Sequence, residues 1–194
     1  MDKYSAIVLF GAPGVGKGTH GKLLAQDSSY FHFSSGEMFR SLDTSTDLGS
    51  KVKALTDKGN FVDDETTIAL AKETLERKIR TKEYLSDNQY LLLDGLPRNS
   101  YQVGLMEEFI QVKQIIYLYV EKEDILVQRL QQRSLKENRR DDSKLEFIQH
   151  RLNIYEMNTL PLLRLYSPSI IVEINSSHSI AEVNAEIIDT ILKR

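Results

Sequence analysis

Five short apolar runs punctuate the chain, at Ala6–Phe10, Phe31–Phe33, Tyr90–Leu93, Ile115–Val120 and Ile170–Ile174. Each is rich in branched or aromatic side chains, and the brevity of the runs suits strands better than helices. Between them the apolar spacing becomes helical, as at Ile125, Arg129, Leu130 and Arg133, and later at Ile148, Leu152, Tyr155 and Leu163. Near-continuous apolar strands alternating with helices are covered on both faces, which predicts a three-layer α/β fold around a five-stranded, mostly parallel sheet.

Two segments interrupt this alternation. Residues 36–82 form a long excursion between the second and third strands, predicted to be mostly helical, and Lys136–Lys144 (KENRRDDSK) carries seven charges in nine residues. On composition alone the second segment reads as a solvated loop. There is no internal repeat and there are only four prolines, so no linker divides the chain, and a single domain is expected over residues 1–194.

Composition narrows the function more by exclusion. Lys and Arg number 25 against 28 Asp and Glu, for a net charge of −3, and no basic cluster offers a nucleic-acid surface. The longest stretch free of charged residues runs from Tyr4 to Gly16, well short of the roughly twenty apolar residues that cross a membrane. Cysteine is absent, which removes disulfides, thiolate metal sites and thiol nucleophiles. The first residues pass straight into an apolar run with no small-residue cleavage site, so a cytoplasmic location is expected.

Five of the ten glycines fall between Gly11 and Gly21. The segment Gly11-Ala12-Pro13-Gly14-Val15-Gly16-Lys17-Gly18-Thr19 matches G-x-x-x-x-G-K, with Gly18 at the usual hydroxyl position and the hydroxyl deferred to Thr19. A glycine turn needs no ligand, but this one follows a predicted strand and opens a helix. There backbone N–H groups converge on phosphate oxygens at the positive helix end, and Lys17 adds a mobile charge. The third strand ends in Asp94, a position from which a carboxylate orients Mg²⁺ through water, although a strand-end Asp is also a common helix cap.

Further motifs make the pattern specific. Gly95-Leu96-Pro97-Arg98-Asn99-Ser100-Tyr101-Gln102 follows Asp94, and Ser34-Ser35-Gly36-Glu37-Met38-Phe39-Arg40 precedes it. With the glycine loop these resemble, in order and separation, the signature regions of the adenylate kinases within the nucleoside monophosphate kinase family. The resemblance implies a P-loop kinase fold and reversible phosphoryl transfer from Mg·ATP to AMP by a monomer. Residues 36–82 would then be the monophosphate-binding insert and 134–144 a lid, whose short form leaves no room for a zinc site.

By the same resemblance, Gly14, Val15, Gly16, Lys17, Gly18, Thr19, Arg129 and Arg133 hold the donor, and Arg40 and Arg98 grip the acceptor phosphate. Ser35, Asn60, Val62, Gly95 and Gln102 surround the acceptor nucleoside. The lid would add Arg151 and an arginine eleven residues before it, which selects Arg140, whereas alignment on Asp141-Asp142 would select Arg139. Planar guanidinium forks suit this chemistry, because a phosphoryl in flight is stabilised by positioned cations and not by a covalent nucleophile. Leu96, Glu37 and Ser35 stand where the family usually has Phe, Asp and Thr. His20, His32, His150 and His178 lack metal-like spacing and read as surface or packing residues.

Two other readings compete. UMP/CMP kinases resemble one another in carrying Ala at the Ser35 position and Asn four residues after the Arg98 equivalent. Here those residues are Ser35 and Gln102, although Asn99 is seen in the pyrimidine type. A non-catalytic nucleotide-binding module would show damage among the cations, and Lys17, Arg40, Arg98, Arg129 and Arg133 are all present. Lys17→Met is expected to keep the fold and lower kcat by on the order of 10² to 10⁴, and near-normal turnover in the folded variant would defeat the phosphate-cradle assignment.

Overall fold

In the computed structural model the five apolar runs are the five strands found among the described residues, 3–137 and 139–192; the side chains of Arg140 and Leu192 lie outside that description. They are β1 (Tyr4–Phe10), β2 (Tyr30–Ser34), β3 (Tyr90–Asp94), β4 (Ile110–Tyr119) and β5 (Ile171–Asn175). The sheet order is β2-β3-β1-β4-β5, and every pairing is parallel. The helices are α1 (Lys17–Leu24), α2 (Ser35–Arg40), α3 (Asp47–Thr56), α4 (Asp64–Arg80), α5 (Ser100–Met106), α6 (Glu123–Glu137), α7 (Leu145–Ile154) and α8 (Ile180–Leu192).

Alternate strand residues feed two cores, which makes the three layers. Val8, Phe10, Leu91, Leu93 and Ile115 pack with Ile68, Ala71 and Leu75 of α4 and Met106 of α5. Ile7, Leu9, Leu92, Ile116 and Ile174 pack with Leu24 of α1, Leu130 of α6, Ile148 of α7 and Val183 of α8. The excursion between β2 and β3 is helical as expected, and α4 contributes to the main core.

Two local expectations change. Strand β4 begins five residues before the apolar run, because Ile110 and Val112 alternate there with Gln111 and Lys113, so the strand starts with one exposed face. A bulge leaves Lys113 unpaired between the pairs Ala6↔Val112 and Ile7↔Gln114. The spacing read through Ile148, Leu152, Tyr155 and Leu163 crosses three conformations: α7, a π-helical turn over Tyr155–Thr159 and a 3₁₀ segment over Leu160–Leu165. Pro161 has no N–H for an α-helical ladder but can start a new helical segment, so the break falls there.

Parallel pairing brings Phe10, Ser34, Asp94, Tyr119 and Asn175 to one edge of the sheet, the edge at which open α/β sheets bind ligands. No described helix is long and apolar enough to cross a membrane. Leu92 is fully buried in the middle of this arrangement. Leu92→Ala is expected to destabilise the fold by about 2–5 kcal/mol, read as a fall in Tm by thermal denaturation; a loss below about 1 kcal/mol would mean the core repacks freely around that strand.

Candidate active site

The loop after β1 turns on glycines in the left-handed region, Gly11 at φ 140° and Gly16 at φ 112° among them. A Cβ on Gly11 would lie 2.3 Å from the carbonyl oxygen of Leu118, so no other residue fits. Gly16 precedes α1 and offers no side chain to cap it, and the first turn of α1 carries no acid. Helices α2, α3, α4 and α5 are capped by Ser34, Thr46, Asp63 and Asn99. The open end of α1 therefore keeps its N–H groups and its positive pole for an anion.

Lys17 curls over this loop, its Nζ donating to the carbonyls of Gly11 at 2.6 Å and Ala12 at 2.9 Å. Burial pushes Lys17 down to about 8 against the pull of Asp94, and Arg98, Arg133 and Arg151 push the same way as burial. Asp94 stands at the end of β3, with His32 Nε2 3.6 Å from its Oδ2. Burial raises Asp94, but His32 and Lys17 outweigh it and hold the carboxyl below its ordinary range. No three carboxylates or histidines among the described residues gather into a metal cage. Asp94 and the Thr19 hydroxyl, both facing the cleft, instead suit a hydrated magnesium carried on phosphates.

The cleft has two chambers. The larger, about 660 Å³, runs from the glycine loop past Arg129 and Arg133 to Ser176 and His178. The smaller, about 320 Å³, is enclosed by Asn60, Phe61, Val62, Thr67 and Gln102. Arg40, Arg98, Arg139 and Arg151 border both. Arg129 donates to the carbonyl of Ser176 at 2.8 Å, which ties α6 to the chain after β5. Arg98 lies with its guanidinium carbon 4.9 Å from the Phe61 ring centre, and its Nε donates to the Gly95 carbonyl at 2.8 Å. Burial, then Arg151, push Arg98 down to about 10, while Asp94 and Asp141 pull it back.

Two carboxylates hold Arg133, Arg139 and Arg151. Asp142, only 1% exposed, accepts from Arg133 Nε at 2.8 Å and from Arg151 Nη1. Asp141 accepts from Arg151 Nη1 at 2.6 Å and from Arg139 Nη2 at 3.0 Å. Burial works against the charge on Asp141, but Arg151 and Arg139 outweigh it and keep the carboxyl low. The run Lys136–Lys144 is therefore not simply a solvated loop: Asp141 and Asp142 are drawn inward by three arginines. Arg40 has no side-chain hydrogen bond among the described residues, and burial and Arg139 push it down.

Every residue proposed for the site on sequence grounds borders one chamber or both, except Arg140, whose side chain lies outside the description. Ser35 and Gly95 border the larger chamber rather than the smaller. The Ser35 hydroxyl is spoken for, donating to the Gly95 carbonyl at 3.0 Å and accepting from Arg98 Nη2 at 3.2 Å. Gln102 is 1% exposed, and its amide already has protein partners on both ends. The sequence offers Arg139, through alignment on Asp141-Asp142, as the alternative to Arg140, but it announces neither the Phe61 platform nor the approach of His32 to Asp94.

An uncapped glycine loop after β1, an all-parallel sheet and arginines converging from five segments define a P-loop phosphotransferase. The Adenylate kinase family model matches residues 9–171. Similar proteins include the adenylate kinase of Cyanothece sp., 39% identical over 166 residues that cover 82% of this chain and 80% of the relative. That of Thermobifida fusca is 35% identical over 166 residues, covering 82% and 83%. That of Prochlorococcus marinus is 32% identical over 187 residues, covering 93% and 95%. The chain belongs to the adenylate kinase family.

The position of Lys17 carries a pH signature. Its cation, not its neutral amine, attracts phosphate, so kcat/KM for nucleotide is expected to hold on the acid side of about pH 8 and to fall as pH rises through that value in the free protein. A profile that holds to about pH 10, the ordinary lysine range, would overturn the assignment.

Proposed function

We propose that the protein transfers the terminal phosphoryl group of Mg·ATP to AMP, reversibly, giving two ADP. The observation that carries this reading is the shared wall: Arg40, Arg98, Arg139 and Arg151 stand between a chamber beginning at the glycine loop and a second one beyond it. A donor in the larger chamber and an acceptor in the smaller would meet at these arginines, where charge develops during transfer.

The chain's own residues do positioning and electrostatics. Lys17 exchanges the Gly11 and Ala12 carbonyls for phosphate oxygens, and the N–H groups at the start of α1 hold the same anion. Arg129 and Arg133 orient the donor from one face of α6, and Arg40 and Arg98 hold the acceptor phosphate. Arg151, with Arg139 or Arg140, closes the clamp and excludes water. Asp94, through water, and Thr19 would hold magnesium, which when bound neutralises charge on the transferring phosphates. Gln102, Asn60 and Val62 would meet the acceptor base. Side chains paired with carboxylates in the free protein thus meet phosphates in the complex.

A coupled assay offering AMP, UMP, CMP and GMP with Mg·ATP tests the reading, with turnover of AMP expected to lead and a preference for UMP or CMP promoting the pyrimidine kinase. Arg139→Ala and Arg151→Ala are each expected to lower kcat at least about tenfold, because Arg139 fronts both chambers and closure completes the clamp. Arg140→Ala is measured beside them. A mild Arg139→Ala with a damaged Arg140→Ala would give the lid role to Arg140, as the register from Arg151 selects, and three mild variants would remove the loop from the mechanism.

A further inference from the structure

Asp64, the first residue of α4, borders neither chamber, yet two amides converge on it. Gln102 Nε2 donates to its Oδ1 at 2.7 Å, and Asn99 Nδ2 donates to both its oxygens, at 2.9 and 3.0 Å. At the other end of the Gln102 side chain, Oε1 accepts the backbone N–H of Arg98 at 2.8 Å. These partners differ in kind. An ionised carboxylate only accepts, and a backbone N–H only donates. A Gln102 amide turned over by 180° would set oxygen against oxygen at Asp64 and N–H against N–H at Arg98, losing both hydrogen bonds inside a buried site.

We infer that Asp64 is a specificity-determining positioning residue: by fixing the polarity of the Gln102 amide it makes the smaller chamber accept a 6-aminopurine monophosphate and reject a 6-oxopurine one. The inference rests on the reading of that chamber as the acceptor site. Each end of the amide keeps one further bonding capacity, the second N–H of Nε2 and the second lone pair of Oε1, and Gln102 borders the chamber. A donor beside an acceptor, held in that order, matches an adenine edge, where ring N1 accepts and the 6-amino group donates. Hypoxanthine and guanine present N1–H and O6, the reverse order, and could be met only by the turned amide. A site whose polar groups are fixed in this way rejects the mismatched base more strongly than an adaptable one.

The test compares kcat/KM for AMP and for IMP in the wild type, Asp64→Asn, Asp64→Ala and Asp64→Glu, with KM for ATP and the melting temperature recorded for each. Asparagine can present either an oxygen or an NH₂, and alanine presents neither, so both substitutions leave the Arg98 N–H as the one remaining group that sets the polarity of the amide. Both are expected to lower the AMP to IMP ratio at least about tenfold, with KM for ATP unchanged. Asp64→Glu, which keeps an acceptor-only group, is expected to stay nearer the wild-type ratio than either. A folded Asp64→Asn or Asp64→Ala with a ratio within threefold of wild type would overturn the inference, as would loss of stability and of both activities in proportion. A wild type that uses IMP within threefold of AMP overturns it even where no variant folds. Wild type that fails to phosphorylate AMP at all overturns the acceptor-site reading instead, so the two failures are separable.

Discussion

Lys17, Arg40, Arg98, Arg133, Arg139 and Arg151 crowd one cleft, and their mutual repulsion is the constraint to which the rest of the site answers. Two like charges about 6 Å apart repel by roughly 3 kcal/mol at the effective dielectric of a protein surface. Six of them cannot be gathered without compensation. Burial is the first cause that pushes Lys17 down to about 8 and Arg98 down to about 10, and the neighbouring arginines push the same way. Asp94, Asp141 and Asp142 supply the compensation, each placed between cations rather than beside one. Removing Asp142 would leave Arg133 without a carboxylate and Arg151 with Asp141 alone, which costs more than losing an ion pair at the surface.

The sheet topology explains how residues distant in sequence share that cleft. Strand β3 lies between β1 and β2, so Asp94 is registered against Leu9 on one side and Ser34 on the other. The glycine loop, the magnesium-side carboxylate and the start of α2 therefore leave the sheet next to one another. Each chain segment turns into its helix at that edge, and the helix N-terminal N–H groups gather where the strands end. The arginines arrive differently. Arg129 and Arg133 come from one face of α6 and Arg151 from α7, so their position depends on how these helices pack through Leu130, Ile148 and Leu152 on the sheet.

That difference decides what could be read from the sequence. The five strands, the parallel sheet and the glycine loop depend on local patterns: apolar runs, and glycines placed after one of them. They were legible because the central residues of β1, β3 and β4 are covered on both faces and so run apolar without a break. The first half of β4 was missed where that coverage fails and polar residues alternate. At the site, Lys17, Asp94, Arg40 and Arg98 lie within compact motifs and were legible for the same reason. The engagement of Gln102 by Asp64 and the turn of Arg139 toward both chambers were not. The first depends on a contact between residues 38 apart, the second on which way a guanidinium held by an acid two residues on will turn, and no spacing rule encodes either. The resemblance supplied Gln102 as a base-reading residue, but only the structure shows that its amide is already held.

Asp141 and Asp142 carry this reasoning one step further. They lie on the short segment between α6 and α7, and the arginines they hold come from α6, from that segment and from α7. The pair therefore ties the two helices together through charge as well as through the core beneath. A bound phosphate presents more charge and more acceptor oxygens than one carboxylate, so arginines that meet it gain stronger hydrogen bonds than those they give up. The carboxylates, being part of the chain, remain close by and keep the guanidinium groups oriented before any nucleotide arrives. Orientation established in advance is what electrostatic stabilisation of a transferring group requires, because dipoles and charges that must reorganise during the reaction lose much of their effect. On this view the acids of the charged loop do not merely neutralise the arginines; they hold them at the positions that phosphate will need.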